Sequence, residues 1–179
     1  MVQPIRDKRQ IEQMKDELKK TGTRDYMLFF IGINTGLRVG DILELKVLDV
    51  KDRSHITIVE QKTGKNKRFF INEKLKAAID SYIYTMSNET YLFQSRKGTN
   101  KPISRVQAYR ILNKAAKALH ITEIGTHTMR KTFGFWHYHQ FSDIAILQDI
   151  FNHSSQSITL KYIGITDDIK DATIKNFSL

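Results

Sequence analysis

Between His55 and Ile71 the apolar residues of this 179-residue chain change their period, and that change limits the possible folds more than any other feature. Elsewhere they recur three and four positions apart, the spacing of one helix face. Inside the segment Ile56 and Ile58 alternate with Thr57 and Val59. The turn residues Thr63-Gly64-Lys65-Asn66 follow, and Phe69 and Ile71 alternate again. Two alternating runs around a glycine-containing turn predict a β-hairpin with a basic tip, set in an otherwise helical chain.

Helix signals fill the remainder. Asp7 predicts an N-cap for a helix that carries Ile11, Met14 and Leu18 on one face, and Gly22 closes it. Tyr26 to Ile33 predicts a buried helix, interrupted by Asn34-Thr35-Gly36, and a new helix starts near Val39 with Ile42, Leu43 and Leu45. Glu73 to Met86 carries Leu75, Ile79 and Ile83, and Ser104 caps a helix running to about Leu119. Another begins at Thr126 or Thr128 and extends through Trp136. Ser142 or Asp143 opens one with Ile144, Leu147 and Phe151 inward, and short helices are expected near Ile158 and Asp168. The fold class is therefore α+β, mainly α-helical with a small antiparallel sheet; the helical dominance argues against a sandwich or a parallel α/β fold. The length suits one domain with an ordinary core, and residues 1–179 are read as a single unit.

Composition narrows the chemistry. The chain has no cysteine, so disulfides, thiolate zinc sites and a cysteine nucleophile are excluded, which fits a reducing, cytoplasmic setting. The run from Tyr26 to Ile33 is far below the about 20 apolar residues that span a bilayer, and the first residues carry no signal-peptide core. Neither a membrane nor a secretory route is expected. No glycine-rich phosphate loop is present, so a bound nucleotide has no seat. His137 and His139 stand two apart and face different sides of a helix, so no metal site and no cofactor are expected.

The formal charge is +10, which makes a polyanion the first partner to consider. Its placement says more than its size. Arg96, Lys97, Lys101, Arg105, Arg110, Lys114 and Lys117 form a stretch of seven basic residues with no acidic one among them. A second cluster from Lys62 to Lys76 includes Lys65, Lys67 and Arg68 and contains six basic residues against Glu73. A solvated helix face is the ordinary reading of a charge run. Two uncompensated clusters favour a surface that tracks phosphates, with Lys65, Lys67, Arg68, Arg96, Lys97, Arg105, Arg110 and Lys114 as its contacts.

Four short segments carry possible chemistry. In Thr35-Gly36-Leu37-Arg38-Val39-Gly40-Asp41 a turn feeds a helix start, which places Arg38 beside backbone N–H groups, with Asp41 three residues on to orient the guanidinium. Lys62 sits at the hairpin tip. His127 and Arg130, three apart, share a helix face and can grip one phosphate. His153 precedes Tyr162 by nine residues. Taken singly, each has a plain structural alternative: a surface arginine paired with Asp41, a solvated turn lysine, a core tyrosine with a satisfied hydroxyl. His120, His137 and His139 are read as structural or surface residues, and Trp136 as the anchor of its helix.

In this order, Arg38, Lys62, His127-x-x-Arg130, His153 and Tyr162 resemble the active site of the tyrosine recombinases, the phage-integrase family. The local contexts resemble the family's boxes too: Thr35-Gly-Leu-Arg-x-Gly-Asp-x-Leu-x-Leu, His127-Thr-Met-Arg-Lys-Thr-Phe, and His153-Ser-Ser-x-x-x-Thr-Leu-x-Tyr162. The resemblance covers roughly Pro4 to Ile174. Two positions depart from it: Lys131 stands where the family often has histidine, and Phe151-Asn152 where Leu-Gly usually precedes the histidine.

The resemblance implies a tyrosine recombinase catalytic-domain fold and a chain lacking the family's N-terminal core-binding domain. It further implies metal-independent site-specific recombination or integration through a 3′-phosphotyrosine bond. Tyr162 would be the nucleophile, Arg38, Arg130 and His153 would stabilise the phosphate, His127 would serve as acid/base, and Lys62 would protonate the departing 5′-oxygen. The chemistry is coherent, because a phenol of ordinary pKa about 10 needs such help near neutrality. Arginines here do what Mg²⁺ does elsewhere. Double-stranded DNA is the implied partner, with self-association into a tetramer on it and a C-terminal tail exchanged between protomers; the source implied is bacterial or phage. Two rivals remain at this point: a type IB topoisomerase-like relaxing enzyme, and a basic DNA-binding module without catalysis.

Overall fold

The computed structural model of the chain describes residues 2–59, 64, 66–165, 171, 173–175 and 177–178. Among these, eight α-helices surround one two-stranded antiparallel sheet, so the α+β architecture with a small hairpin is the one observed. The helices are α1 (Lys8–Thr21), α2 (Thr23–Thr35), α3 (Val39–Leu43), α4 (Glu73–Ile83), α5 (Arg105–Ala118), α6 (Thr128–Phe141), α7 (Ile144–Phe151) and α8 (Gln156–Ile163). Strands β1 (His55–Val59) and β2 (Asn66–Phe70) pair in the register Ile56 to Phe69 and Ile58 to Lys67.

Local chemistry sets most of these boundaries. The side chains of Asp7, Asn72, Ser104, Asp143 and Ser155 each accept a backbone N–H in the first turn of their helices. Such caps contribute about 1 kcal/mol each by satisfying donors that the helix itself leaves open. Asp143 rather than Ser142 opens α7; Ser142 instead takes the left-handed conformation that closes α6. Three boundaries differ from the sequence expectation. The third helix ends at Leu43, and Leu45 is buried in the turn beyond it, ahead of a short 3₁₀ segment at Val47–Asp49. The fourth stops at Ile83 rather than Met86, and the sixth runs past Trp136 to Phe141. A further helix near Asp168 lies outside the described residues, as do Lys62 and Lys65 of the hairpin tip.

The core divides into two clusters, and this division positions everything discussed below. The larger contains Met14, Leu18, Leu28, Phe29, Ile31, Ile42, Ile79, Leu112 and Met129, joining α1 to α6. The smaller contains Phe135, Leu147, Phe151, Ile163 and Ile165, and holds α7 and α8 against the second half of α6. Trp136 and Ile150 pack on both. As expected, Trp136 anchors its helix: its Nε1 donates to the Ile5 carbonyl at 3.0 Å. The backbone N–H of Ile5 donates in turn to Thr132 Oγ1 at 2.9 Å, so the segment before α1 is fastened to α6 at both polar groups of one residue.

Gly134 allows the smaller cluster to close. A Cβ there would lie 2.7 Å from Phe151 Cε2 and Cζ and 2.7 Å from Ile163 Cγ2. Both neighbours are fully buried and cannot swing away. Gly134→Ala would gain about 1 kcal/mol of helix propensity, against about 1–3 kcal/mol of overpacking. The crowding term wins, and the variant should melt about 2–6 °C below the parent in a thermal denaturation series.

Candidate active site

The two arginines, the two histidines and the tyrosine singled out in the sequence come together where the two core clusters meet. Their elements are the start of α3, the start of α6, the end of α7 and the last turn of α8. Gly36 ends α2 in the left-handed conformation, at φ 67°. A side chain there would also collide with the Phe133 ring, so glycine is required for two reasons. The turn it makes sends the chain into α3 with Arg38 as the N-cap residue, exposed to solvent.

Arg130 is the buried member, 4% exposed although charged. Its Nη1 donates to the Gly36 carbonyl, and its Nη2 donates to the Phe151 carbonyl at 2.9 Å. The guanidinium also lies over the Phe151 ring, 4.3 Å from the centroid. Burial brings its pKa down to about 10, opposed by the nearby charge of Asp41. It therefore keeps its charge at neutral pH. Asp41, expected from the sequence to orient Arg38, acts by its charge on Arg130. A guanidinium has five N–H donors, so with two on carbonyls the remainder can serve a ligand.

The Tyr162 hydroxyl lies 3.3 Å from His127 Nδ1. The ring packs edge-on against His153 at 5.0 Å and Phe151 at 5.4 Å between centroids. Burial pushes the phenol pKa up, while the positive charges of Arg130 and Arg38 pull it down. His153 is fixed through Nδ1, which lies 3.1 Å from Thr159 Oγ1 one turn before the tyrosine. Burial lowers the pKa of His127, and Lys131, Arg130 and Arg38 lower it further. The same holds for His153, where Arg130, Arg38 and Lys67 add to burial. The charge of Arg38 acts on all four of these groups, so it lies within electrostatic range of each.

The basic residues expected along a duplex divide. Arg96 and Lys97 are exposed on the loop before α5, and Arg105, Arg110 and Lys114 are exposed on that helix. Arg105 joins them to the site, because its guanidinium packs where a Cβ on Gly40 would stand, two residues beyond Arg38. Arg68 is exposed, with Nη2 3.2 Å from His55 Nε2. Lys67 differs: its ammonium donates to the carbonyls of Asp149 at 2.6 Å and Ile150 at 3.3 Å, capping the end of α7 next to His153. Lys62 and Lys65 lie outside the described residues.

Two contributors were not read from the sequence. Arg6 donates from the segment before α1 to the Gly164 carbonyl at 3.0 Å and so holds the end of the tyrosine-bearing helix. Lys131 places its ammonium 5.1 Å from the centroid of the Tyr162 ring. A lone arginine before a capping aspartate gives no sign of its distant carbonyl partner. Lys131 was visible only as a departure from the family's usual histidine.

Among the described residues no group of histidine and acidic side chains is arranged to hold a metal ion, and no helix is long and apolar enough to cross a membrane. The family model described as the phage integrase family matches residues 6–168. The chain belongs to the phage integrase family. It is 50% identical over 177 residues to the Bacillus subtilis protein named "Probable integrase/recombinase YoeC", covering 99% of this chain and 97% of that one. It is 26% identical to tyrosine recombinase XerA of Pyrococcus furiosus over 88% of its own length. The chain spans about half of that relative and of Staphylococcus saprophyticus XerC, 56% and 52% of their lengths. Among solved folds it resembles a XerA recombinase crystal structure, with TM-score 0.78 and 22% identity over all of this chain and 67% of that one. A lambda integrase dimer bound to a core site follows with TM-score 0.71, 18% identity, 92% of this chain and 49% of that one.

The histidine environments set a pH dependence. The pKa values of His127, His137 and His153 are all lowered by burial in the folded state. The unfolded chain, whose histidines titrate near about 6.5, binds more protons in that window, so folding stability rises with pH there. Melting temperature should fall as pH drops through about 6.5 and level off once the folded-state histidines are protonated. Thermal melts between about pH 5 and 7.5 would show it, well above the range in which carboxylates titrate. A flat profile would mean that these side chains stay solvated.

Proposed function

We propose that the chain cuts and rejoins duplex DNA in site-specific recombination, with Tyr162 as the nucleophile. The observation that carries this reading is the 3.3 Å approach of the Tyr162 hydroxyl to His127 Nδ1, beside the guanidinium of Arg130. Neutral His127 accepts the phenolic proton as Tyr162 Oη attacks the phosphorus. The bond to the 5′-oxygen breaks, giving a 3′-phosphotyrosine and a free 5′-hydroxyl. Negative charge grows on the non-bridging oxygens, where the exposed Arg38 and the remaining donors of Arg130 meet it and His153 adds one more. Lys62 is assigned the protonation of the leaving oxygen, from a hairpin whose second strand is tied to α7 through Lys67. Rejoining is the same sequence in reverse and needs no nucleotide, because the phosphotyrosine keeps the bond energy.

Family membership favours a recombinase over a topoisomerase-like relaxing enzyme, and the assembled site favours an enzyme over a binding module without catalysis. The wider assignments rest on the same reading: a tetramer formed on DNA, a tail exchanged between protomers, a cytoplasmic setting, and a catalytic domain spanning residues 1–179. Tyr162→Phe should abolish the covalent adduct on a nicked suicide duplex while leaving duplex affinity within about twofold. An adduct that persisted would move the nucleophile elsewhere, with Tyr138 the first alternative.

The basic face of α5 gives a second test. Arg110 and Lys114 are both exposed on it. If each neutralises one phosphate, replacing both by glutamine should flatten the slope of log K against log salt by about 2. An unchanged slope in a binding titration would place the duplex on another face.

A further inference from the structure

Resting on Tyr162 as nucleophile, we propose that Lys131 is a positioning residue for the cleavage step: its ammonium holds the Tyr162 ring by the face and favours negative charge on it. Lys131 follows Arg130 directly on α6, and its Nζ stands 5.1 Å from the ring centroid. The side chain is half-buried, and it forms no ion pair with a carboxylate among the described residues. A cation over an aromatic face is attracted by the ring's electron density, and the attraction grows when the site is desolvated. Ionising a phenol adds electron density to its ring, so the same contact is stronger to the phenolate than to the phenol. The pull is therefore largest as the hydroxyl gives up its proton, which is when it accelerates attack.

Other groups surround the same ring. His127 approaches the hydroxyl from the start of α6, and His153 and Phe151 pack edge-on from the end of α7. Arg130 acts on the hydroxyl by charge and by a hydrogen bond that its guanidinium donates, and Arg38 by charge. The arginines and His127 thus address the oxygen that reacts, whereas Lys131 addresses the ring that carries it. The groups that act electrostatically with Lys131 are Arg6, which together with burial lowers the lysine's pKa, and His127, whose pKa the lysine lowers. Arg6 also holds the end of α8 at Gly164.

The test uses the whole chain and single-turnover cleavage of a nicked suicide duplex at saturating protein, from about pH 6 to 9. Lys131→Met keeps the length and loses the charge, and Lys131→Arg keeps the charge. The methionine variant should cleave about five- to tenfold more slowly near neutrality. Its rise in rate with pH should move about half a unit to one unit upward, so that the deficit shrinks in alkali. The arginine variant should keep the parent's profile within about twofold, and both should bind duplex and melt like the parent. Two results would overturn the proposal: a methionine variant with the parent's rate and profile, or both variants slowed equally at every pH, which marks a packing role. Tyr162→Phe, run alongside, separates the premise from the proposal. An adduct in that variant removes Tyr162 as nucleophile, whereas its loss, with an unshifted Lys131→Met profile, removes only the role given to the lysine.

Discussion

The buried guanidinium of Arg130 is the contact on which the rest of the site depends. It ties the last turn of α2, through the Gly36 carbonyl, to the last turn of α7, through the Phe151 carbonyl. The first ends α2, whose apolar residues lie in the larger core cluster, and Phe151 lies in the smaller, so a single side chain spans the seam between them. Burying a charge is costly unless hydrogen bonds and polarisable groups replace water. Here two helix-end carbonyls and the Phe151 ring supply that replacement. The seam and the charge are mutually dependent: the seam desolvates the arginine, and the arginine holds the seam in register.

The smaller cluster gains its precision from that tie. Helix α8 has eight residues, too few to be stable on local hydrogen bonds alone. Its position comes from Ile163 under Gly134, from the Ser155 cap at its start and from Arg6 on the Gly164 carbonyl at its end. His153 is bound to Thr159 on the same helix, so tyrosine and histidine move together if α8 moves. Lys67 reaches from β2 to the carbonyls ending α7, which links the hairpin to the same unit. Strand β2 and the elements that carry Tyr162 and His153 thus meet around α7 and α8.

How legible this was in the sequence depended on the range of the interaction concerned. Caps and periods act within a few residues, and Asp7, Ser104 and the alternation at Ile56 and Phe69 marked their elements correctly. The helix ends that differed, at Leu43 and Ile83, are set by packing against other parts of the chain, where a buried residue such as Leu45 satisfies the pattern without being helical. The site residues were recognisable because their order resembles a known family, not because spacing alone placed them together. Arg38 and Tyr162 are 124 residues apart, and only the folded chain brings them within electrostatic range of each other. Lys67 shows the limit of reading charge runs: its cluster suggested a duplex contact, but the backbone carbonyls of α7 hold its ammonium.

The electrostatics of the site follow one sign. Arg38, Arg130, Lys131 and Lys67 all act on neighbouring groups as positive charges, and Asp41 is the carboxylate that opposes them at Arg130. Concentrating cations this way disfavours protonated histidine, which keeps His127 able to accept a proton and lowers the cost of ionising Tyr162. The same arrangement suits a phosphodiester, whose negative charge offsets the repulsion among the cations and increases further in the transition state. Such a site spends little of its attraction on the ground state: the arginines gain most when the phosphorane's extra charge appears. In the proposed reaction the +10 charge of the chain would have two separable effects: a long-range attraction of a duplex along α5, and a short-range selection of the reacting phosphate at the seam.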